Sequence, residues 1–318
     1  MSIFVICEAQ GNGYRSSSLE LLSQARRLSA GASVVAVVLG DEATSASVLQ
    51  GAAHRVMAVE GAKVGPYSAD AWTEALAGLL LNETPRLVLF GEGTRARDLL
   101  PRLAARLGAA AFTNALALEL DGPSLVLTRP AYGGKAYVAI RCGDRLCLAA
   151  FRPNSFDAGA APVAETAFET VQVSVAGSRV DLVEQRPRES TRVDLVEAQR
   201  VVAGGRGLKV PENLRLLEDL ADALGGAVGV SRAVVDAGWA DHAIQVGKSG
   251  KTISPSLYFA VGVSGAVHHT MGMDTAKVVV AINTDPKAPI FQYADYGIVG
   301  DALQVLPALT AAITRVVG

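Results

Sequence analysis

Two stretches decide the fold of the C-terminal part of this chain: Val202–Lys209, VAGGRGLK, and Tyr258–His269, YFAVGVSGAVHH. In each, a short apolar run typical of a buried strand ends in glycine or serine. In parallel α/β sheets, ligands bind outside the carboxyl ends of the strands, where glycine lets a ligand approach the backbone and helix N-termini offer N–H groups to phosphate. The pattern recurs in Val278–Asp301, so the sequence predicts a domain that holds a large phosphate-containing ligand.

The rest of the pattern predicts an α/β protein of two domains, for which 318 residues suffice. From Ile3 to Leu107, apolar runs alternate with helical periodicity, which predicts an N-terminal parallel α/β sheet. Four short runs follow, the last of them Leu146–Phe151, and their turn-like spacing predicts an attached antiparallel meander. We place the domain boundary near Pro187, with an N-terminal α/β domain over 1–187 and a C-terminal doubly wound domain over 188–318.

Composition excludes several classes of function. Charged residues make up 19% of the chain and the net charge is −2, which indicates no nucleic-acid partner and no acidic membrane surface. The long uncharged stretch Ile253–Met273 contains Pro255 and several glycines, so it is poor material for a membrane span. The N-terminus, MSIFVICEAQ, reads as a strand with no basic segment or cleavage site, and we therefore expect a cytoplasmic protein.

One motif in the first half leaves alternatives open. Gly91–Ala96, GEGTRA, fits the GxGxxA pattern of dinucleotide folds between a strand and a helix, although ordinary βα turns account for a lone match more often. It permits an NAD-dependent oxidoreductase on a doubly wound fold, or a nucleotide-binding regulatory protein that uses only this half. No carboxylate lies at a recognisable spacing from a nucleophile, so no hydrolytic machinery is evident.

Cations and histidines in the second half point to an anionic ligand. Arg206 is flanked by glycines at a strand end, and Ser231-Arg232 repeats the arrangement at the next one. The pair favours a ligand site over a structural role. His268-His269 lacks the further ligands that a zinc site needs, and one imidazole of the pair could instead face an anion.

These blocks resemble a known family. Five blocks resemble the C-terminal domain of the electron transfer flavoprotein alpha subunit: GGRGLK, GVSRAVVDAGW, QVGKSGK, LYFAVGVSGAVHH and KVVVAINTDPKAPIFQYADYGIVGD. Two further blocks resemble its N-terminal domain: FVICE and FGEGTRARDLLPRLAARLGA. The resemblance implies a redox electron carrier rather than an enzyme with its own substrate. It implies one non-covalent FAD in the C-terminal domain. It also implies a heterodimer whose beta subunit packs on the N-terminal domain and holds AMP or a second nucleotide. Electrons would come from acyl-CoA or related dehydrogenases and pass to a quinone oxidoreductase.

The resemblance also implies cofactor-binding residues, carried over by motif. Arg232 is expected beside the isoalloxazine, the Ser249 hydroxyl at flavin N5, and His269 near the pyrimidine carbonyl. We expect a cationic His269, with Arg232, to favour negative charge on the flavin. The family usually has Gln at 248 and 268, Thr at 249 and Leu at 302. The full set is Arg206, Ser231, Arg232, Val246, Gly247, Lys248, Ser249, Ser264, Gly265, Ala266, Val267, His268, His269, Asn283, Asp301 and Ala302, with Asn283 and Asp301 towards the adenosine end.

Overall fold

The computed structural model describes residues 2–29, 31–61, 63–122, 124–143, 145–159, 161–176, 180, 182–184 and 193–317. The chain divides into two compact units, Met1–Pro187 and Arg188–Gly318, called unit 1 and unit 2 below. The boundary residue that the sequence predicts, Pro187, lies outside the described residues. Among those described, no helix combines the length and the apolar character that crossing a membrane requires.

Unit 1 is built from short strands that alternate with helices in its first half. Its elements are β1 (Ser2–Ile6), β2 (Ala9–Gln10), β3 (Gly13–Tyr14), α1 (Ser16–Leu28), β4 (Ser33–Leu39), β5 (Arg55–Glu60), α2 (Ala69–Glu83), β6 (Leu87–Gly91), α3 (Thr94–Leu107), β7 (Ala110–Ala115), β8 (Ala117–Asp121), β9 (Ser124–Ala131), β10 (Ala136–Cys142), β11 (Cys147–Phe151) and β12 (Ala167–Gln172). A 3₁₀ helix, Gly40–Leu49, follows β4.

The main sheet of unit 1 confirms the predicted parallel α/β architecture. Seven strands pair in the order β12-β5-β4-β1-β6-β11-β7, and every pairing is parallel. Apolar clusters cover both faces, so the central strands are buried throughout. From β1 the chain proceeds to β4 and β5 on one side and later to β6 on the other. This reversal of strand order puts a crevice at the carboxyl ends of β1 and β6.

The predicted meander is confirmed for three strands and wrong for the fourth. β8, β9 and β10 form an antiparallel sheet, but Leu146–Phe151 does not continue it. Instead β11 lies between β6 and β7 in the parallel sheet. All its residues are buried, because its alternate side chains enter the apolar clusters on opposite faces. A strand that is apolar on both faces suits the middle of a parallel sheet, whereas a meander strand usually exposes one face.

Unit 2 is a second parallel α/β layer structure and confirms the predicted doubly wound domain. Its elements are β13 (Arg200–Gly204), α4 (Leu214–Leu224), β14 (Ala227–Val230), α5 (Arg232–Asp236), β15 (Leu257–Val261), α6 (Val267–Thr270), β16 (Val278–Asn283), β17 (Tyr296–Val299) and α7 (Ala302–Val317). Five strands pair in parallel in the order β14-β13-β15-β16-β17. The chain leaves β13 towards β14 and returns to β15 on its other side, so the carboxyl ends of β13 and β15 form the crevice of this sheet.

Helix α4 shows how the sequence builds one face of this sheet. Its buried residues, among them Leu217, Leu220 and Leu224, recur every three or four positions and so form one apolar stripe. They pack with residues of β13, β15 and α7 in one cluster. Gly225 ends the helix in the left-handed region, φ +60°, which glycine adopts without strain. The opposite face holds a separate cluster that includes Tyr258.

Candidate functional site

The residues predicted to bind the cofactor gather at the carboxyl end of the unit 2 sheet. Strand by strand, Arg206 follows β13, Ser231 and Arg232 follow β14, Ser264–His269 follow β15, Asn283 ends β16, and Asp301 and Ala302 follow β17. The Val246–Ser249 segment follows no strand, but backbone hydrogen bonds bring it there. The Val246 N–H donates to the Val230 carbonyl at 2.9 Å, and the Lys248 N–H donates to the His268 carbonyl at 2.7 Å.

Glycines let the loops of this crevice pack directly on one another. A Cβ added to Gly205 would lie 2.2 Å from the Gly262 carbonyl oxygen, and one added to Gly207 would lie 2.6 Å from the Gly262 Cα. At Gly265, φ is +84° and an added Cβ would lie 2.2 Å from the Ile290 nitrogen. The sequence suggested that these glycines make room for a ligand. The structure shows that much of that room is taken by the neighbouring loop, which fixes the loops against each other.

Positive side chains are exposed along this end of the sheet. Arg206 and Lys248 are exposed and make no ion pair with any described residue. The Arg232 side chain is 65% exposed and its Nε lies 3.3 Å from an oxygen of Asp236, four residues further along. Two cations without a carboxylate partner suit an anionic ligand such as a pyrophosphate.

Ser249 is oriented by a neighbour that the sequence analysis missed. The buried Gln245 amide donates to the Ser249 hydroxyl at 3.0 Å, which leaves the hydroxyl proton free for another acceptor. The imidazole Nε2 of His242 lies 2.9 Å from the Ser249 carbonyl oxygen and must donate to it, since a carbonyl only accepts. The spacing of four residues between Gln245 and Ser249 is the only sequence signal that could have indicated the pairing.

The structure separates the two adjacent histidines. His268 is exposed, whereas His269 is buried, and its Nε2 lies 2.8 Å from the Tyr258 hydroxyl. Desolvation by burial lowers the pKa of His269 to about 4, and a backbone interaction with Val246 opposes this only in part. The expectation of a cationic His269 is therefore wrong for the ligand-free chain, in which the imidazole is neutral at neutral pH.

The hydrogen bond to Tyr258 also assigns the proton on the His269 ring. Tyr258 is fully buried, and burial raises its pKa, so its O–H stays protonated. This hydroxyl has no other partner among the described residues, and it must donate to Nε2 if its proton is to be satisfied. The Nδ1 atom then carries the single ring proton of the neutral imidazole. It is buried and makes no hydrogen bond of good geometry with any described residue, although the Val246 backbone interacts with the imidazole. A buried N–H without an acceptor is costly, so this atom fits a ligand carbonyl.

The residues predicted at the adenosine end already have protein partners. The Asn283 amide donates to the Val263 carbonyl at 2.9 Å and accepts from the Asp285 N–H at 3.0 Å. Lys209 lies 2.7 Å from Asp301 and, with the Leu303 N–H, holds the pKa of that carboxyl below its usual range. Ala302 is 5% exposed and packs in the core beside α4. These contacts brace the carboxyl end of β16 and β17.

A doubly wound sheet whose carboxyl end presents cations, a hydroxyl and a buried imidazole N–H defines a nucleotide-cofactor-binding protein of the α/β class. Residues 3–176 match the model of the electron transfer flavoprotein domain, and residues 194–274 match that of the electron transfer flavoprotein FAD-binding domain. The chain belongs to the electron transfer flavoprotein alpha subunit family, which assigns it a role in electron transfer.

Relatives match along nearly the whole chain. The electron transfer flavoprotein subunit alpha of Bacillus subtilis (strain 168) is 38% identical over 311 residues, covering 97% of this chain and 96% of that protein. Protein FixB of Clostridium saccharobutylicum is 37% identical over 323 residues, covering 99% and 97%. The electron transfer flavoprotein subunit alpha of Syntrophomonas wolfei is 36% identical over 318 residues, covering 98% and 99%.

Proposed function

We propose that unit 2 binds one FAD non-covalently at the carboxyl end of its sheet. The observation that carries this proposal is the match of residues 194–274 to the FAD-binding model, a segment whose helix α6 places the buried imidazole of His269 at this end of the sheet. The exposed cations Arg206 and Lys248, which pair with no carboxylate in the part of the chain that the structure describes, lie at the same end of the sheet and suit the pyrophosphate.

Each residue then has a defined task in holding the flavin. His269 donates its Nδ1 proton to the pyrimidine carbonyl as a neutral imidazole, and Tyr258 keeps that proton on Nδ1. Ser249, held by Gln245, directs its hydroxyl proton at flavin N5. Arg232 lies beside the isoalloxazine, while Asn283 and Asp301 lie towards the adenosine. Bound FAD supplies the electron-accepting and electron-donating chemistry.

We further propose that the chain works as the alpha subunit of a heterodimer. Unit 1, residues 1–187, contacts a beta subunit that holds AMP or a second nucleotide. The complex, in the cytoplasm, accepts electrons from acyl-CoA or related dehydrogenases and passes them to a quinone oxidoreductase. Support comes from relatives of nearly equal length that are named as alpha subunits.

Flavin content tests the cofactor. The purified chain is denatured, and released flavin is separated by chromatography and counted against protein. We expect FAD in equimolar amount. FMN, or flavin that stays on the denatured chain, would contradict the proposal.

Assembly and electron delivery test the partners. Co-expression with a candidate beta subunit, followed by size-exclusion chromatography with light scattering, should show a one-to-one complex. Mixing it with an acyl-CoA dehydrogenase and its substrate should bleach the flavin absorbance, and adding the quinone oxidoreductase should restore it. A stable homodimer with full electron-transfer activity would overturn the heterodimer.

A further inference from the structure

Unit 1 contains an open cavity of about 800 Å³ that the FAD proposal does not use. Its wall comes from segments that follow the carboxyl ends of four parallel strands: Asn12 after β1, Asp41 after β4, Tyr67 after β5 and Thr94 after β6. We call it the unit 1 cavity. It lies where the strand order reverses between β1 and β6, the place at which open α/β sheets bind ligands. Its volume falls within the range of about 300–1,000 Å³ that small-molecule pockets span.

One wall of the unit 1 cavity is aromatic and held in place. The rings of Tyr67 and Trp72 meet edge to face at 5.2 Å, and the Arg95 guanidinium lies 5.4 Å from each ring centre. Arg95 also pairs with Glu42, and Tyr67 donates to Asp98 at 2.8 Å. These contacts fix the partly exposed Tyr67 ring and the Arg95 guanidinium, against which a planar ring can lie.

The polar side of the unit 1 cavity has one carboxylate without a partner. Glu42 is paired with Arg95, and Asp98 with Arg102. The Asp41 carboxylate makes no hydrogen bond or ion pair with any described residue. It stands just beyond β4, the strand next to β1. An acid at the end of that strand is where dinucleotide folds hold the ribose hydroxyls. A carboxylate accepts two hydrogen bonds at once, which matches a vicinal diol.

Charge limits the ligand that fits. Among the described residues that line the cavity, three are acids and one, Arg95, is a cation, and this balance opposes a ligand with several negative charges. A single phosphate is compatible because the cavity also reaches the first turn of α3, whose N-cap Gly93 provides no side-chain hydrogen bond to the helix N–H groups.

We propose that the unit 1 cavity binds a ribonucleoside, free or as its monophosphate, with the base against Tyr67 and the ribose hydroxyls on Asp41. This second ligand is independent of FAD. It gives unit 1 a small-molecule site of its own within the electron carrier.

Calorimetric titration of the FAD-saturated full chain tests the proposal, because saturation removes competition at the flavin site. The probes are adenosine, 2′-deoxyadenosine, adenosine monophosphate and adenosine triphosphate. The variants are Asp41→Asn and, as the matched control, Glu119→Gln, an exposed acid of unit 1 outside the cavity. We expect adenosine to bind, and Asp41→Asn to weaken it about tenfold or more, as for a lost hydrogen bond to a charged group. Glu119→Gln should bind as the unchanged chain does.

The deoxy probe isolates the contact with the diol. 2′-Deoxyadenosine should bind about tenfold more weakly than adenosine to the unchanged chain, and the two should bind equally to Asp41→Asn. The triphosphate should bind more weakly than the monophosphate. Tighter binding of the monophosphate than of adenosine would assign the natural ligand as the nucleotide, and the reverse would assign the free nucleoside. The proposal is overturned if adenosine does not bind at millimolar concentration, or if Asp41→Asn or the missing hydroxyl leaves its affinity unchanged. The FAD content of the chain should be the same in either case, so this test is separate from the test of the FAD proposal.

Discussion

The two units place the loops that we propose to bind ligands at the same end of the same kind of sheet, yet the chemistry there is opposite. In unit 2, the cations Arg206 and Lys248 have no carboxylate partner among the described residues, and the loops touch through glycines. In unit 1, acids outnumber cations among the described residues that line the cavity, and an open volume of about 800 Å³ remains between the loops. Parallel strand order thus determines where a ligand binds, while the residues just beyond each strand determine which charge it carries.

The first prediction compares the stability cost of adding a methyl group to a tightly packed glycine of unit 2 and to an unpacked glycine of unit 1. Gly205→Ala should destabilise unit 2 by about 3 kcal/mol, because its Cβ would lie 2.2 Å from a backbone oxygen that cannot move aside as a side chain would. FAD content should fall with it. Gly93→Ala is the matched control, since no heavy atom lies within 4 Å of its Cβ position, and it should change stability by less than about 0.5 kcal/mol. Urea titration of both variants measures the difference, and equal losses would refute it.

The second prediction concerns acid stability in unit 2. The pKa of His269 is about 4 in the folded chain and about 6.5 when unfolded. Between these values only the unfolded state takes the proton, so the free energy of unfolding falls as the pH drops from about 6.5 to about 4, by about 3 kcal/mol in total. Above pH 6.5 the group contributes no slope. His269→Gln should remove most of this pH dependence in the flavin-free chain.

The adjacent histidine provides the control for that titration. His268 is exposed, so His268→Gln should leave the pH dependence of unfolding unchanged. If His268→Gln flattened the curve and His269→Gln did not, the assignment of the buried imidazole would be wrong.

The third prediction tests the role of Tyr258 in holding the His269 proton. Tyr258→Phe leaves Nε2 buried without a donor and should cost about 1–3 kcal/mol of unfolding free energy. It should also let the neutral ring populate both tautomers, which nitrogen NMR of the imidazole detects. Tyr293→Phe, at a 44% exposed tyrosine of the same unit, should change neither quantity. An unchanged single tautomer in Tyr258→Phe would show that another group holds the proton.

The smallest expected effect is on the flavin potential. Arg232→Ala removes a cation and should lower the potential for the first electron, since reduction adds negative charge. Because the side chain is 65% exposed and paired with Asp236, we expect less than about 60 mV, the equivalent of a tenfold change. Asp236→Asn should shift the potential in the opposite direction. Potentiometric titration measures both, and shifts of the same sign would exclude this charge mechanism.

Sequence patterns predicted an element correctly where the whole pattern lies within one segment of the chain. Apolar runs followed by glycine or serine predicted the strands of unit 2 and placed the residues proposed to bind the cofactor at their carboxyl ends. The same patterns failed at β11, because an apolar run of five residues reads alike in a meander and in the middle of a parallel sheet. The unit 1 cavity was not predicted, since its Arg95–Glu42 pair joins residues 53 positions apart.

The sequence by itself determined the class of fold, the family and the end of the sheet at which the residues proposed to bind the cofactor lie. It could do so because strand periodicity and turn glycines are patterns that span only a few consecutive residues. Only the tertiary structure decided the state of those residues. It made His269 neutral by burying it and set its proton through Tyr258. It also filled the space beside Gly205 with Gly262. Burial, pKa and close packing depend on which segments meet in space, and no local pattern carries that information.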